Sequence, residues 1–155
     1  MTTSQPTFLL SPLSHFAFKT LAILLACAMS NSYAAVHDVR EGDSIQAAVE
    51  AAAPGDIIQV HPGLYRETVY VDKDDITLRG VVEDGEWPNL EGDKQLNDAI
   101  LYSGNGFTVE WFKITNYKGN AIMGQAGNNF SIRNNWVVDT GVYGIFPEFG
   151  ENGLI

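Results

Sequence analysis

The chain has 155 residues, 45% of them hydrophobic and 18% charged, with 15 glycines and 6 prolines, which gives room for one domain of ordinary globular composition. Its formal charge of −10 repels phosphate backbones and so excludes a nucleic-acid partner held by electrostatics. A single cysteine, Cys27, excludes an internal disulfide.

Residues 1–34 contain no acidic residue and one basic residue, Lys19, followed by the apolar run Thr20–Met29 and then Ser-Asn-Ser-Tyr-Ala-Ala. A positive flank, an apolar stretch too short to span a bilayer and small residues after it predict a secretory signal peptide, cleaved after Ala34. The expected location is therefore secreted or periplasmic. Leu24-Leu25-Ala26-Cys27 is close to the pattern that lipidates a cysteine, which leaves a lipoprotein anchored through Cys27 as the competing expectation. Loss of the leader removes Lys19 and no acid, making the remainder one charge more negative, and no later apolar run is long enough for a transmembrane segment.

Residues 40–56 read as a helix. Asp43 or Ser44 can cap it, Gln46 stands three after Asp43 as in a capping box, and Ile45, Ala48, Val49 and Ala52 share one face before Pro54-Gly55 stops it. A small amphipathic helix over residues 43–52, directly before a run of strands, suits an N-terminal cap on a solenoid. From Asp56 the pattern changes to short β-branched and aromatic stretches bounded by Gly, Asn and Asp: DIIQV, TVYV, DITLRG, AILYSG, FTVEWFKI, NAIM, FSIRNNWVV and YGIF.

The segment from 105 to 124 repeats 23 positions later. Phe107 falls on Phe130, Val109 on Ile132, Ile114 on Val137, Asn116 on Asp139 and Ile122 on Ile145, so apolar meets apolar. Extended in both directions, the first strands of the units begin at Ile76/Leu78, Phe107/Val109, Phe130/Ile132 and Gly153/Ile155, with Ile58/Val60 as an earlier, shorter turn. The longer step between the first two holds the polar segment EDGEWPNLEGDKQ, expected to be a loop that leaves the stack undisturbed. A coil of roughly 22 residues climbing about 4.8 Å is a parallel β-helix, an all-β solenoid in which equivalent residues of successive coils stack. The expected domain runs over 35–155, and the chain stops in the first strand of a new coil. It reads as an N-terminal fragment whose open last coil should drive self-association.

With these residues on the page, GDIIQVHPGLYRETVYV, ITLRG and NNFSIRNNWVVDTGVYGIFPEFGENGLI resemble the right-handed parallel β-helix proteins of the pectate-lyase-like superfamily, closest to the exported repeat group that includes the NosD-like periplasmic proteins. The resemblance implies a right-handed helix and a polysaccharide as partner. Its enzymes include lyases and epimerases, and by analogy alone Ca²⁺ as a cofactor. The Asp-Pro-His signature of epimerases and the motifs of polygalacturonases are absent from this sequence.

Individual residues divide as follows. Glu110 and Arg133 stack as a cross-strand ion pair, and Lys113 stacks on Trp136 as a cation–π contact. Trp136, with Trp111 near the preceding corner, could form a platform for sugar rings, so Lys113, Arg133 and Trp136 are the substrate-binding candidates. Asp139 and Glu148, each following a strand at a turn, are the catalytic candidates for general acid–base work. His61, beside Pro62-Gly63, reads as a turn residue before it reads as a base or ligand, and no metal site is expected. Asn134 and Asn135 are expected to begin an asparagine ladder, and Gly119, Gly124, Gly141 and Gly144 to sit at corners or crowded positions. The function expected is binding or processing of a polysaccharide, with lyase or epimerase chemistry if it is an enzyme. The alternative is a non-catalytic periplasmic scaffold or accessory protein.

Overall fold

A computed structural model describes residues 33–155. The leader through Ser32, Cys27 included, lies outside the described residues. The first coil pairs strand β1 (Val36–Val39) with helix α1 (Ile45–Ala51). The second holds β2 (Ile57–Val60), β3 (Gly63–Tyr65) and β4 (Val69–Val71), and the third β5 (Thr77–Gly80), β6 (Pro88–Glu91) and β7 (Ile100–Tyr102). In the fourth are β8 (Thr108–Glu110), β9 (Lys113–Thr115) and β10 (Ile122–Gly124), and in the fifth β11 (Ser131–Arg133), β12 (Trp136–Val138) and β13 (Ile145–Pro147). Equivalent strands hydrogen-bond in parallel, building a first sheet β1-β2-β5-β8-β11, a second β3-β6-β9-β12 and a third β4-β7-β10-β13. The fold is a parallel β-helix with a short N-terminal helix, as the sequence predicts.

Register follows the 23-residue period. Val109 faces Ile132, Glu110 faces Arg133, Ile114 faces Val137 and Ile122 faces Ile145. Leu154 makes one further bridge to Ser131, the same step again. Because strand side chains alternate, the inward residues form columns down each sheet: Ile58, Leu78, Val109 and Ile132 in the first, Leu90 and Ile114 in the second, Val69, Ile100 and Ile122 in the third, all buried. Each such side chain contributes about 1.5–3 kcal/mol by leaving water.

Where sheets meet, aromatic rings fill the interior. Tyr102 stacks on Phe107 with centroids 4.8 Å apart and tilts against Phe130 at 5.7 Å. Gly124 follows from this crowding, since a Cβ there would stand 2.6 Å from the Tyr102 hydroxyl oxygen. That hydroxyl is buried without a hydrogen-bond partner among the described residues, and burial pushes its pKa up to about 12. Of the other glycines singled out in the sequence, Gly119 and Gly141 are held against backbone of the preceding coil, whereas Gly144 has ordinary room. None of these four has a positive φ, so crowding and not backbone freedom accounts for the tight ones.

Helix α1 covers the first end of the stack and is fastened at both ends from the second coil. Ser44 is the N-cap, its hydroxyl accepting from the Ala47 amide at 3.1 Å. The capping box expected from Gln46 does not form. Instead the Glu67 carboxylate accepts from the Ile45 and Gln46 amides at 2.8 and 3.0 Å, while the Gln46 side-chain oxygen accepts from the Tyr70 amide at 2.7 Å. At the other end the Lys73 ammonium donates to the carbonyls of Val49, Glu50 and Ala52 at 2.9, 2.7 and 2.6 Å. An anion at the first turn and a cation at the last are the placements the helix dipole favours.

Two further expectations change. Part of the segment expected to be a loop is strand β6, with Leu90 buried inward and Pro88 at the first position, where its missing N–H costs the ladder least. The asparagine ladder lies at a different corner from Asn134 and Asn135. Asn105 donates from backbone and side chain to Asp74 Oδ1 at 2.8 and 3.2 Å. Asn128 does the same to Asn105 Oδ1 at 3.1 and 3.3 Å, and the Glu151 amide donates to Asn128 Oδ1 at 3.0 Å. Asn135 works alone, accepting from the Phe112 amide at 3.1 Å and donating to the Val109 carbonyl at 3.1 Å.

Two substitutions test this packing. Lys73→Met should lose about 1–3 kcal/mol in urea unfolding, because three helix carbonyls lose their donor. Tyr102→Phe should gain on the order of 1 kcal/mol by removing an unpaired buried hydroxyl, and a loss instead would mean that this hydroxyl is satisfied in solution.

Candidate functional site

The outward residues of the second sheet form one continuous row. Register places Leu64 of β3 beside Asn89 of β6, Asn89 beside Lys113 of β9, and Lys113 beside Trp136 of β12. Four coils at about 4.8 Å make this row roughly 14 Å long. Together with Glu41, Pro62 and Gly63 and with Gly85, Glu86 and Trp87, it lines a cavity of about 470 Å³.

The wall at Trp87 comes from the long step of the third coil. Asp84 and Gly85 both have positive φ, 53° and 86°, and Glu83 bridges Glu86 antiparallel, so this is a two-residue hairpin turn of the kind Asp-Gly favours. The hairpin returns the chain to β6 and lays Trp87 over the row. All three tryptophans of the chain thereby come together, Trp87 lying 6.0 Å from Trp111 and 6.2 Å from Trp136 between ring centroids. The Lys113 ammonium stands 4.9 Å over the Trp136 ring. Trp111 and Trp136 remain 40% and 52% exposed, a large apolar area kept in water.

Trp111 is held at a cost. Its φ of 64° is left-handed, a region that a bulky residue occupies at about 1–2 kcal/mol, and one coil later the equivalent corner carries Asn134 at 55°, a residue type that tolerates it. Gly80 makes the arrangement fit, because any side chain there would collide with the Trp111 carbonyl.

The other candidates lie elsewhere. Arg133 belongs to the outward row of the first sheet, which reads Asp38, Gln59, Arg79, Glu110, Arg133 in register. Glu110 is 6% exposed and accepts from Arg79 Nε at 2.9 Å on one oxygen and from Arg133 Nε at 2.8 Å on the other. The expected pair is thus a triad spanning three coils. Asp139 follows β12 and is paired with Lys94, Oδ2 to Nζ at 3.0 Å, while Glu148 follows β13 on the third sheet. The two carboxylates therefore end strands of different sheets, and neither lines the cavity. His61 sits 2.8 Å from Asp38 through Nε2, tying the turn before β3 to the first coil, while its buried Nδ1 stands 3.4 Å from Glu83 of the hairpin without a hydrogen bond among the described residues. Among the described residues no group of three His, Cys, Asp or Glu is placed to hold a metal ion, and no helix is long and apolar enough to cross a membrane.

No family model matches this chain, and neither curated proteins nor solved structures give a match. The geometry of the groove therefore carries the chemical argument by itself.

Beside the row, two residues along β6 from Asn89 and on the same face, Glu91 braces the strand. Its Oε2 lies 2.6 Å from the Thr115 hydroxyl and accepts from the Asn116 side chain at 3.1 Å, and that hydroxyl is 3.0 Å from Asn89 Oδ1. Burial raises the Glu91 carboxyl, but hydrogen bonds from Thr115, the Asp93 amide and Asn116 outweigh it and leave it below the usual carboxylate range. The same balance holds at Glu110, where burial pushes upward and the two arginine bonds overcome it. The sequence paired Glu110 with Arg133 but missed Arg79, which the longer step places 31 residues away instead of 23. Trp87 was missed because it lies in the segment expected to be a loop, although its Asp-Gly dipeptide carried the hairpin signal.

Acid should expose the triad. A carboxylate whose folded pKa is depressed contributes fully above the unfolded value, about 4.3, and loses that contribution as pH falls through the folded value. Glu110→Gln should therefore lower the urea midpoint at pH 7 and flatten its decline between pH 5 and about 2 relative to the parent chain. Parallel declines in the two proteins would remove Glu110 from the acid response.

Proposed function

We propose that this chain is an exported β-helix protein that binds a polysaccharide along the outward row of its second sheet. The observation that carries the reading is the convergence of the three tryptophans: Trp87 and Trp136 line a groove whose floor repeats from coil to coil, and Trp111, against Trp87, lines the neighbouring cleft with Arg79 and Gly80. Sugar rings present apolar C–H faces that stack on indoles and hydroxyls that need polar partners. Asn89, Lys113, Glu41 and Glu86 supply those partners beside the indoles. Trp111 in a costly conformation adds support, because strain of that kind concentrates at functional positions.

The charges lining the groove narrow the ligand. Two carboxylates, Glu41 and Glu86, face one ammonium, and the chain is strongly acidic as a whole. A neutral glycan fits this better than a polyuronate, unless a divalent cation bridges the two. The pectate-lyase-like resemblance of the sequence agrees with a polysaccharide partner. The second reading, a non-catalytic accessory protein of the NosD-like kind, is favoured over lyase or epimerase chemistry by the separation of Asp139 and Glu148 on different sheets and the pairing of Asp139 with Lys94.

Tryptophan fluorescence titrated with neutral and uronate oligosaccharides, with and without Ca²⁺, tests the reading. Binding should perturb the emission, and Trp136→Ala should weaken it at least tenfold, a loss of about 1.4 kcal/mol. Trp111→Asn should keep or raise the melting temperature while weakening binding, because the corner is relieved and the platform is cut. If no glycan in the panel perturbs the emission, or if both variants bind as the parent does, the groove is not a sugar site. An ultraviolet-absorbing unsaturated product from a uronate would favour a lyase over the accessory reading.

A further inference from the structure

Export has a corollary at Asp56, and the inference rests on that part of the proposed function. Asp56 follows Pro54-Gly55 at the turn into β2 and is only 6% exposed. Its Oδ1 accepts from the backbone nitrogen of Ala35 at 2.8 Å. Oδ2 accepts from the Ala53 amide at 2.9 Å and lies 2.9 Å from His37 Nε2. These contacts, that of His37 first, hold the carboxyl down to about 2, so it is anionic at neutral pH. Glu110, the comparable buried carboxylate of the first sheet, has two guanidinium groups, whereas Asp56 faces two uncharged amides and a histidine. A buried anion without a permanent cation is the costly member of such a pair.

The missing cation is one peptide bond away. Tyr33, Ala34 and Ala35 are exposed and lie outside any strand or helix, so the Ala34–Ala35 bond is open to a peptidase. We infer that Asp56 is a receptor for a free N-terminus at Ala35: hydrolysis after Ala34 converts the amide nitrogen already 2.8 Å from Asp56 into an α-ammonium at the same place. Water is the only co-reactant of the leader peptidase. Its oxygen goes to the Ala34 carbonyl carbon, the C–N bond breaks, and the protons distribute to leave a carboxylate on Ala34 and an ammonium on Ala35. The ion pair then fastens β1 at its first turn onto the sheet, because the Ala35 carbonyl accepts from the Ile57 amide at 2.9 Å next to it. Processing thus completes the covered end of the stack as well as releasing the chain.

The test uses a chain made to begin at Ala35 by cleavage of a fusion in vitro, compared with the same chain acetylated at its α-nitrogen. The Ala35 methyl NMR signal should report an amine titrating at least about one pH unit above the ordinary α-amino range of about 7.7–8.0. In Asp56→Asn it should return to that range. Since a raised amine pKa contributes stability that is lost as pH rises through it, the melting temperature should fall more between pH 7 and 10 in the free-amine chain than in the acetylated one. His37, facing the same carboxylate, is titrated alongside as His37→Gln, which should leave that difference in place. An amine in the ordinary range, or an equal fall in the free and acetylated chains, overturns the capture. The acetylated comparison retains Asp56 and decides the matter even if Asp56→Asn does not fold. Intact mass of the product exported by a Gram-negative host reads the leader separately. A chain beginning at Ala35 supports processing at this bond. A retained leader or a lipid on Cys27 overturns cleavage after Ala34, and with it a free amine at Ala35 in the exported chain, while the ability of Asp56 to hold such an amine stands or falls on the titration.

Discussion

Hydrogen bonding between successive coils is the constraint from which the rest of the molecule follows. Parallel pairing in strict register places each residue on its counterpart one coil away, and a slip by one residue would turn every buried side chain outward. Columns of Ile, Leu and Val inside, and rows of polar or aromatic residues outside, are then the same fact seen from two sides. Corners obey it too: Asp74, Asn105 and Asn128 each satisfy the backbone of the next coil, which is how a turn with no ladder of its own keeps its polar groups paired.

The candidate site lies where the repetition is broken. The second sheet supplies an outward row of modest chemistry, and the longer third coil adds a hairpin that swings Trp87 across it. Trp111 and Trp136 gain a neighbour that neither their own strands nor their own coils could provide. The scaffold is thus set by repetition and the groove is shaped by insertion, with the irregular segment carried on a regular framework.

The 23-residue echo made the β-helix readable, along with the ladders through Val109, Ile114 and Ile122, because a periodic stack writes its period into the chain. Residues that act within one coil or its successor were legible for the same reason, as with Lys113 and Trp136. What escaped depended on placement across unequal steps. Arg79 reaches Glu110 over the long coil, Glu67 and Lys73 reach back to α1 across the first turn, and the Asn105–Asn128 ladder carries the same residue types as the Asn134–Asn135 corner. Composition could not separate those two corners, since both are Asn-rich and only the direction of the side chains distinguishes them. Asp139 and Glu148 each follow a strand, and their positions on separate sheets depend on which strand each follows, information that a turn residue does not carry.

The triad on the first sheet also limits how this sequence can drift. One buried carboxylate serves two arginines from the coils on either side, so Arg79, Glu110 and Arg133 are a single unit of selection spread over three repeats. Losing Glu110 brings two guanidinium groups together without an anion, and reversing one arginine places a second carboxylate against the first. Neutral paths run through exchange of all three for apolar residues or through paired changes, since such groups are strongly non-additive. Among diverged copies of this chain, positions 79, 110 and 133 should vary together or not at all, at intervals of 31 and 23 that no local sequence window would connect.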